Sequence, residues 1–442
     1  MLGTKTSASD LEQPTERYEA IIFGAGVSGL VSASILLSQG CRRILIADSY
    51  DHVGGNHIDW SKDDYTFDVG SFIFQDDSPL LAHFPELLPR YTIAFPTWGR
   101  LNPQGRITAY PISVKDDIIN AGPIEWIRIF SSLLYARLFQ RNMRNAKEFA
   151  QYWIGSHLLH SSGLDSYMRR FYGVPADLID IQLAQKRMLW ISEHASIKTW
   201  VRRALSSPQK HTEPDKHQLV RPKEGFGRLY DAASERLRKN GVVFLLGARF
   251  QTIEKDDEAF LVRIEGRTIK ADRVISTIPI NHIEKMCGIK SEKLNSITLL
   301  SLFFSFAGKR GFNTSILYNF SHEGSWKRLT MYSDFYGTAN GREYFTAEII
   351  ADHVDLSATR AEQEFRRHVR INHLFDGELR LEGSMNLENA YPIYSEGSSE
   401  RAARAIRTLK EFGVESFGRQ GGFNYQPTAR VSTIDAETAL KR

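Results

Sequence analysis

Residues 18–48 decide the fold, with the sequence YEAIIFGAGVSGLVSASILLSQGCRRILIAD. The apolar run Tyr18–Phe23 predicts a buried strand, and a Gly-x-Gly-x-x-Gly turn and an apolar helical stretch ending at Gly40 follow it. A second predicted strand, Arg43–Ala47, ends in Asp48, which lies about 20 residues after the last glycine of the turn. This order of strand, turn, helix, strand and acid predicts a Rossmann-type dinucleotide-binding unit.

Each residue of this turn has a physical role in the predicted unit. Gly24 permits the tight turn, Gly26 lets the backbone approach a pyrophosphate, and Gly29 lets the helix pack closely on the strand. The first turn of the helix, which includes Ser28, offers free N–H groups and a partial positive charge to phosphates. Asp48 can accept a hydrogen bond from a ribose hydroxyl. The fingerprint therefore predicts a bound dinucleotide.

A second pair of glycines, Gly54-Gly55, follows Asp48 and precedes Asn56. This spacing is typical of FAD proteins, in which backbone amides of the second pair also face the pyrophosphate. The segments GAGVSGL, DSYDHVGGN and FDVGSFIF together resemble the flavin-binding start of a superfamily. Its members include amine oxidases, protoporphyrinogen oxidases, phytoene desaturases and UDP-galactopyranose mutases. The resemblance implies FAD as the cofactor.

Three later segments resemble further FAD contacts of this superfamily. Pro222–Arg249 resembles the Gly-rich turn, helix and strand on the adenine side, and Ala271–Pro279 resembles a strand with a hydrophobic-Ser-Thr-x-Pro turn. Phe417–Tyr425 resembles the Gly-Arg segment that lies against the flavin. The resemblance implies the following cofactor-binding residues: Gly24, Gly26, Ser28, Gly29, Asp48, Gly54, Gly55, Asn56, Arg249, Phe250, Gly418, Arg419 and Tyr425.

Among these enzymes, the mutases agree best in the order and spacing of their motifs. They have a helical segment that ends in an aromatic-Gly pair, as Tyr167–Gly173 does, and then a basic stretch, which here includes Arg187. They also have a strand arginine, here Arg328, and a Tyr-Pro-Val element, here with Tyr391. The resemblance implies that Arg187 and Arg328 bind the diphosphate of a nucleotide sugar, that Tyr391 contacts it, and that Tyr172 replaces the family's tryptophan.

The activity that this resemblance implies is a flavoenzyme isomerisation. An FAD-dependent nucleotide-sugar mutase interconverts pyranose and furanose rings in polysaccharide or glycoconjugate synthesis, with N5 of the reduced flavin as the nucleophile. The protein then supplies binding and orientation, while the cofactor supplies the chemistry. The sequence accordingly has no Gly-x-Ser-x-Gly elbow, no Cys-x-x-Cys motif and no phosphate-binding P-loop.

The chain departs from the mutases near the flavin. Gly70–Gln75, GSFIFQ, lacks both histidines of the mutase sequence Gly-x-His-Ile-Phe-His, and Ile349 stands where a second diphosphate-binding tyrosine is found. These differences leave open an FAD-dependent oxidase or desaturase, in which the flavin accepts a hydride from an amine or a saturated carbon. The apolar stretch Leu299–Phe306 is compatible with such an enzyme but is more typical of a buried strand. A catalytically idle flavin-binding homologue is a third alternative.

The predicted fold class is α/β, with a Rossmann-type FAD-binding domain, a helical insertion and an antiparallel-sheet substrate domain. The FAD-binding segments are separated along the chain, so that domain is expected to be discontinuous. The expected divisions are a flexible tail at 1–17, an FAD-binding domain at 18–90, 215–285 and 385–442, a helical insertion at 110–205, and the substrate sheet at 290–385.

Composition restricts the class of protein further. With 442 residues, 42% hydrophobic and 24% charged, the chain predicts an ordinary globular protein of two or three lobes. The net charge is +4 and no long basic run occurs, so nucleic acid is not an expected partner. The two cysteines, Cys41 and Cys287, fit a reducing compartment, and no Cys/His cluster has metal-ligand spacing.

The apolar segment Ile124–Phe139 is interrupted by Glu125, Arg128 and Arg137, which makes it too short and too charged to span a bilayer. It predicts a buried or amphipathic helix instead, with membrane contact as the less favoured alternative. The apolar residues at helical spacing are Ile127, Phe130, Leu134 and Leu138. The polar residues 1–17 do not resemble a signal peptide. A cytoplasmic location is therefore expected, with a small-molecule substrate as the main partner; the oligomeric state stays open, with a homodimer as one alternative.

Overall fold

The structure of the protein is a computed structural model that describes residues 16–70, 72–112, 114–187, 217–351 and 357–441. Its strands are β1 Arg17–Tyr18, β2 Ala20–Phe23, β3 Ile44–Ala47, β4 Asp59–Lys62, β5 Tyr65–Asp68, β6 Ile73–Phe74, β7 Thr92–Ala94, β8 Trp98–Leu101, β9 Ile107–Ala109, β10 Gln218–Val220, β11 Val243–Leu245, β12 Phe250–Lys255, β13 Phe260–Ile264, β14 Arg267–Ala271, β15 Val274–Ser276, β16 Ser296–Arg310, β17 Ile316–Asn319, β18 Trp326–Met331, β19 Glu343–Ile350, β20 Phe375–Pro392 and β21 Val414–Ser416.

The helices are α1 Val27–Ser38, α2 Leu80–His83, α3 Val114–Asp117, α4 Pro123–Phe139, α5 Ala146–Ser161, α6 Leu164–Tyr172, α7 Ile181–Arg187, α8 Phe226–Lys239, α9 Ile280–Met286, α10 Ser333–Tyr336, α11 Ala358–Ile371, α12 Ser398–Phe412, α13 Gly418–Gly421 and α14 Ala429–Leu440. Short 3-10 helices occupy Pro85–Arg90, Ile119–Ala121 and Ala176–Leu178. Among the described residues, none of these helices combines the length and the apolar character that crossing a bilayer requires.

Five parallel strands form the central sheet, in the order β11, β3, β2, β15, β21. They come from three separate parts of the chain. β2 and β3 are buried along their whole length, as expected for a parallel sheet covered on both faces. The predicted α/β class with a Rossmann-type unit is therefore confirmed.

The predicted strand–turn–helix–strand unit forms with shifted ends. β2 begins at Ala20 because Tyr18 belongs to a different sheet, where it pairs with Ala271. α1 begins at Val27, inside the glycine turn, so the turn itself forms the N-terminus of the helix. The carboxyl ends of β2, β3 and β15 lie side by side, which places the loops that follow them at one edge of the sheet.

A second, seven-stranded sheet has the order β20, β16, β19, β18, β17, β8, β9 and is antiparallel except between β8 and β17. The segment Leu299–Phe306 lies within β16 and is buried at every residue, so the preferred interpretation of this segment as a buried strand is confirmed. β20 runs from Phe375 to Pro392, across the boundary expected at residue 385. One strand of this sheet therefore extends into the range that was expected for the FAD-binding domain.

The described part of the expected helical insertion, residues 110–112 and 114–187, contains α3 to α7. Its helix α4 forms where the apolar spacing predicts one, and the structure shows which side is buried. Ile129, Leu133 and Ala136 are buried. The residues whose spacing predicted the helix are exposed: Ile127, Phe130, Leu134 and Leu138.

Two expected flexible segments fall mostly outside the described residues, namely 1–17 and the connection 205–217. Their last residues are described. Arg17 lies in β1, and its guanidinium pairs with Asp272 at 2.7 Å. His217 lies 2.9 Å from the carboxylate of Asp76.

Candidate functional site

A cleft of about 550 Å³ opens at the carboxyl ends of the central strands. The loops after β2, β3, β15 and β21 all contribute to its wall, through Gly24, Asp48, Thr277 and Arg419. This edge is where ligands bind in parallel α/β sheets. The volume is within the usual range of cofactor sites, which is about 300–1,000 Å³.

The two glycine turns meet at the centre of the cleft. A Cβ atom on Gly55 would lie 3.0 Å from the Cα of Gly26, and Gly26 forms a parallel bridge with Gly54. Gly24 has a φ of +107°, and a Cβ there would lie 2.2 Å from Oγ1 of Thr277. Since Gly24 and Gly55 have no room for a side chain, the backbone itself forms this part of the wall, with its N–H groups close to any ligand.

The N-terminus of α1 is free to bind an anion. Gly26 is its N-cap, no side chain within the described ranges caps the helix, and its first turn has no acidic residue. The first N–H groups of a helix have no partner within the helix, and the helix dipole favours negative charge there. A pyrophosphate lying across the glycine turns would supply that partner.

Asp48 is held at the cleft wall by the backbone. It is buried, its Oδ2 accepts a hydrogen bond from the N–H of Ala25 at 2.6 Å, and its Oδ1 accepts one from Tyr50 at 2.9 Å. Burial raises the pKa of Asp48, and the hydrogen bonds from Ala25 and Tyr50 oppose that effect. Each carboxylate oxygen keeps a second lone pair that can accept a ribose hydroxyl.

At its far end the cleft continues into a smaller cavity of about 40 Å³ that reaches Gly70 and Tyr391. The two share Asn56 and Arg419 in their walls. The guanidinium of Arg419 lies 5.7 Å from the ring centre of Tyr391 and donates from Nη2 to the carbonyl of Gln426. Tyr391 therefore lies in the wall of a cavity that adjoins the cleft, and Asp48 lies in the wall of the cleft itself.

Three charged residues lie beside Tyr391. Arg328 donates to the carboxylate of Glu348 from Nε at 2.7 Å and also from Nη2, and Nη2 further donates to the carbonyl of Gly70 at 2.9 Å. The Nζ of Lys327 lies 3.1 Å from the other oxygen of Glu348 and 4.6 Å from the ring centre of Tyr391. We call Lys327, Arg328 and Glu348 the charged triad.

A β-bulge creates this triad. Trp326 pairs with Ile349, but Arg328 pairs with Glu348, so Lys327 is an extra residue in β18. Successive side chains of a regular strand point to opposite faces. The extra residue turns two consecutive cations toward the same carboxylate, which is a typical effect of a bulge near a functional site.

The triad is buried and carries excess positive charge. The side chains of Lys327, Glu348 and Arg328 are 4%, 2% and 15% exposed. Burial raises the pKa of Glu348, but Arg328 and Lys327 outweigh it and the net shift is downward, so the carboxylate is ionised. Burial likewise lowers the pKa of Arg328, while Glu348 and two tyrosines raise it well above its ordinary value. Two cations thus share one anion.

Two tyrosines, Tyr318 and Tyr391, lie close to Arg328. Tyr318 is the cross-strand neighbour of Arg328, and its ring stacks on Tyr110 with centres 4.1 Å apart. Tyr172 and Tyr425 lie with ring centres 6.5 Å apart. Planar rings with polar tips can stack on a base or hydrogen-bond a sugar.

The structure brings together most of the residues that the resemblance pointed to. Nine line the cleft: Gly24, Gly26, Ser28, Asp48, Gly54, Gly55, Asn56, Phe250 and Arg419. Gly29 lies behind the wall, where a Cβ would be 1.8 Å from the carbonyl oxygen of Gly24. Gly418 is next to the cleft residue Ser28, since a Cβ there would lie 3.1 Å from its Oγ.

The other predicted residues lie elsewhere. Arg249 is at the surface, with its side chain 88% exposed and paired with Glu265. Tyr425 is among the tyrosines near Tyr172. Arg187 is the last residue of α7, and its side chain is outside the described part of the structure.

Lys327, Glu348 and the cleft wall at 385–389 were not predicted as site residues. The bulge has a sequence signal. The buried apolar residues Trp326, Leu329 and Met331 are spaced by three and then two positions, rather than by two throughout. That irregular spacing indicates an extra residue between Trp326 and Leu329.

Comparison with known proteins identifies the family of this fold. The model of the flavin containing amine oxidoreductases matches residues 27–306, more than half of the chain. Among curated proteins, the chloroplastic prolycopene isomerase 2 of an Oncidium hybrid cultivar is 38% identical over 71 residues. That alignment covers 16% of this chain and only 12% of the relative, so the chain matches a small part of its length.

Two solved structures are similar over nearly the whole chain. A reduced UDP-galactopyranose mutase has a TM-score of 0.78 at 17% identity, covering 97% of this chain and 93% of that one. A putative protoporphyrinogen oxidase from Exiguobacterium sp. has a TM-score of 0.73 at 14% identity, covering 96% and 97%. At these identities the similarity concerns the fold. The predicted superfamily and mutase-like fold are confirmed.

Proposed function

The chain belongs to the family of flavin-containing amine oxidoreductases, and on that premise we propose that it is an FAD-dependent mutase acting on a nucleotide sugar. The observation that carries the proposal is the charged triad at the end of the cleft. It lies beside Tyr391 and Gly70, which line the smaller cavity that adjoins the cleft. The proposal concerns which substrate the enzyme binds and which reaction it catalyses.

The described residues of the cleft fit FAD. The glycine turns and the N-terminus of α1 would hold the pyrophosphate, and Asp48 would accept a ribose hydroxyl. Tyr391, Gly70 and Arg419 would then lie at the isoalloxazine end. Bound FAD in its reduced form supplies the electron-rich N5 atom on which the proposed ring isomerisation depends.

The charge at this end of the cleft favours an anionic substrate. Lys327 and Arg328 share the single carboxylate of Glu348, and Arg419 adds another cation nearby. A diphosphate is attracted by this excess of positive charge, whereas a protonated amine is repelled by it. Arginine in particular presents a planar group of donors that matches phosphate oxygens.

Arg328 keeps a donor for such a ligand. Nε and Nη2 are occupied by Glu348 and Gly70, while Nη1 has no hydrogen-bond partner among the described residues. Glu348 and Gly70 fix the orientation of the guanidinium before any ligand arrives. The role of these residues is therefore to bind and orient the diphosphate, so that the sugar reaches the cofactor.

An anaerobic product assay tests this proposal. The purified FAD-loaded protein would be reduced with dithionite, incubated with UDP-galactose and other nucleotide sugars, and its products separated by chromatography. We expect an isomeric product that appears only after reduction. The same protein should retain UDP, and Arg328→Ala and Arg328→Lys should weaken that retention about tenfold or more.

A surface arginine provides the matched control. Arg404 is 54% exposed and pairs with Glu292, so Arg404→Ala should leave UDP retention unchanged. If the reduced protein makes no isomer and does not retain UDP, the mutase proposal is wrong. If Arg404→Ala and Arg328→Ala lose retention equally, the triad is not the binding site.

A second candidate is a reaction in which FAD accepts a hydride from the substrate. The apolar side chains of Ile73, Leu387 and Ala390, which line the smaller cavity beside Tyr391, favour it. The triad argues for a neutral or anionic substrate rather than an amine. Anaerobic bleaching of the oxidised flavin by an unsaturated lipid or terpenoid, without any nucleotide-sugar product, would support this candidate.

A further inference from the structure

Helix α4 presents a continuous apolar surface to solvent. At about 100° per residue, its exposed apolar residues fall into one stripe that covers about half of the helix circumference. We call this stripe the α4 outer face. Its members are between 52% and 70% exposed: Ile124, Ile127, Phe130, Leu134, Tyr135, Leu138 and Phe139.

The inner side of α4 is firmly packed, so the outer face is a fixed part of the fold. α5 approaches so closely that a Cβ on Gly155, which has a φ of +79°, would lie 2.9 Å from the backbone N of Leu133. The Oγ of Ser132 lies 2.9 Å from the Oγ of Ser156 and accepts a hydrogen bond from the N–H of His157 at 3.0 Å. A contiguous exposed apolar patch on a rigid element marks an interaction site.

Arginines lie along both edges of the outer face. By the same helical geometry, Arg137 lies at one edge, and Arg128 lies near the other edge, between Tyr135 and Phe139. The side chain of Arg128 is 60% exposed. Beyond the end of the helix, Arg141 and Arg144 are exposed as well. An apolar stripe flanked by cations is typical of a helix that lies in the plane of a membrane surface.

In the described part of the chain, nearby carboxylates balance only two of these four cations, since Glu125 pairs with Arg128 and Glu148 pairs with Arg144 at 2.7 Å. Glu125 lies toward α5, where its carboxylate is 2.5 Å from Nε2 of His157, and it also pairs with Arg128 at 2.6 Å. Arg137 lies over the ring of Tyr152 at 4.4 Å. The outer side of the helix therefore combines apolar side chains with excess positive charge.

We propose that the α4 outer face inserts into the interfacial region of an anionic lipid bilayer. Helices of this kind bury their apolar face about 5–10 Å into the boundary between head groups and acyl chains. The arginines at the edges would reach the lipid phosphates, for which their planar donors are well suited. The protein would thus lie on the membrane surface with α4 in the membrane plane.

A second copy of the chain fits this face less well. If the outer faces of two copies packed together, the arginines beside these faces would lie close to one another. The only carboxylate of each helix is already bonded to His157 and Arg128. Like charges brought together without a counter-charge oppose such a contact, whereas an anionic lipid surface supplies the counter-charge.

Vesicle co-sedimentation of the FAD-loaded full-length protein tests the proposal. The vesicles would be phosphatidylcholine alone, or phosphatidylcholine with phosphatidylglycerol. We expect binding to the mixed vesicles that weakens as salt increases. Leu134→Ser should reduce this binding about tenfold, because it removes one apolar side chain from the inserted face. Arg128→Gln with Arg141→Gln should reduce it only when phosphatidylglycerol is present.

Ile371→Ser is the matched control, since Ile371 is 57% exposed at the end of a different helix, α11. It should bind vesicles like the unchanged protein. Flavin content and the thermal unfolding midpoint of Leu134→Ser should not change, since Leu134 is exposed. The proposal is overturned by absence of vesicle binding, by equal binding to both vesicle types, or by equal effects of Leu134→Ser and Ile371→Ser. A dimer in sedimentation velocity that Leu134→Ser dissociates, without vesicle binding, would assign the face to a second copy.

Discussion

Replacement of Glu348 by glutamine changes the charge of the triad while keeping its shape. The amide oxygen can still accept from Arg328. The amide nitrogen then faces the ammonium of Lys327, which lies 3.1 Å from the present carboxylate oxygen. Two donors meet, and two buried cations lose their shared anion. We therefore expect Glu348→Gln to destabilise the protein strongly.

The size of the effect follows from burial. At an effective dielectric constant of about 20, a charge pair about 3 Å apart is worth roughly 5 kcal/mol before desolvation is subtracted. Removing one partner of a buried pair typically costs about 3–5 kcal/mol. Since Glu348 and Lys327 are 2% and 4% exposed, we expect the free energy of unfolding to fall by about 3 kcal/mol.

Urea unfolding of the FAD-saturated protein, followed by tryptophan fluorescence, measures this change. Glu292→Gln is the control, because Glu292 pairs with Arg404 at 2.7 Å but both side chains are about half exposed. Its effect should stay below about 1 kcal/mol. Adding Lys327→Met to Glu348→Gln should restore about 1–2 kcal/mol by removing one unpaired cation.

The triad also predicts a pH dependence with a definite sign. Because the pKa of Glu348 is lowered in the folded protein, its stabilisation is present above the unfolded glutamate pKa and is lost as the pH falls through the folded value. Glu348→Gln should lack this loss. Equal destabilisation by Glu348→Gln and Glu292→Gln at neutral pH would refute the assignment of a buried, ionised triad.

Three further predictions concern other parts of the chain. Gly26→Ala should weaken FAD binding about tenfold in a fluorescence titration with little change in apoprotein stability, because the new Cβ meets only ordinary contacts at 3.5 Å but lines the cleft. Gly227→Ala should raise the free energy of unfolding, measured in urea, by about 0.5–1 kcal/mol, since Gly227 lies within α8 with nothing within 4 Å of the added atom. Burial lowers the pKa of His368 to about 4, so unfolding measurements should show a loss of stability below the unfolded pKa of about 6.5, by up to about 1.4 kcal/mol per pH unit. His368→Gln should reduce that slope. The side-chain oxygen of the glutamine would have to accept the hydrogen bond that Trp326 donates to His368.

The cofactor cleft could be predicted from the sequence because its main parts lie in one continuous segment of the chain. The unit from Tyr18 to Asp48 contains both strands, the turn and the acid, and its glycines are needed for local backbone reasons. Neighbouring residues within one matched motif were harder to assign, because the motif does not show which of them faces the ligand. Phe250 lines the cleft whereas its neighbour Arg249 is at the surface, because successive residues at the start of a strand point in opposite directions.

Helix α4 shows a different limit of sequence analysis. The apolar spacing predicted the helix, but both of its sides contain apolar residues, so the pattern did not indicate which side is buried. The packing of Gly155 against the backbone at Leu133 decides this in the structure. The contact between α4 and α5 therefore determines which face of α4 stays exposed.

The charged triad depends on a compromise within β18. Trp326, Leu329 and Met331 all belong to one apolar cluster on one face of the sheet. A regular strand that kept Leu329 and Met331 in that cluster would place Lys327 there as well and remove Trp326 from it. Burying an unpaired ammonium among apolar side chains is far more costly than a local distortion of the strand. The bulge resolves this conflict, because it keeps all three apolar residues in the cluster and directs both cations toward Glu348. The stability of the apolar layer thus maintains the positive charge that we propose selects the substrate.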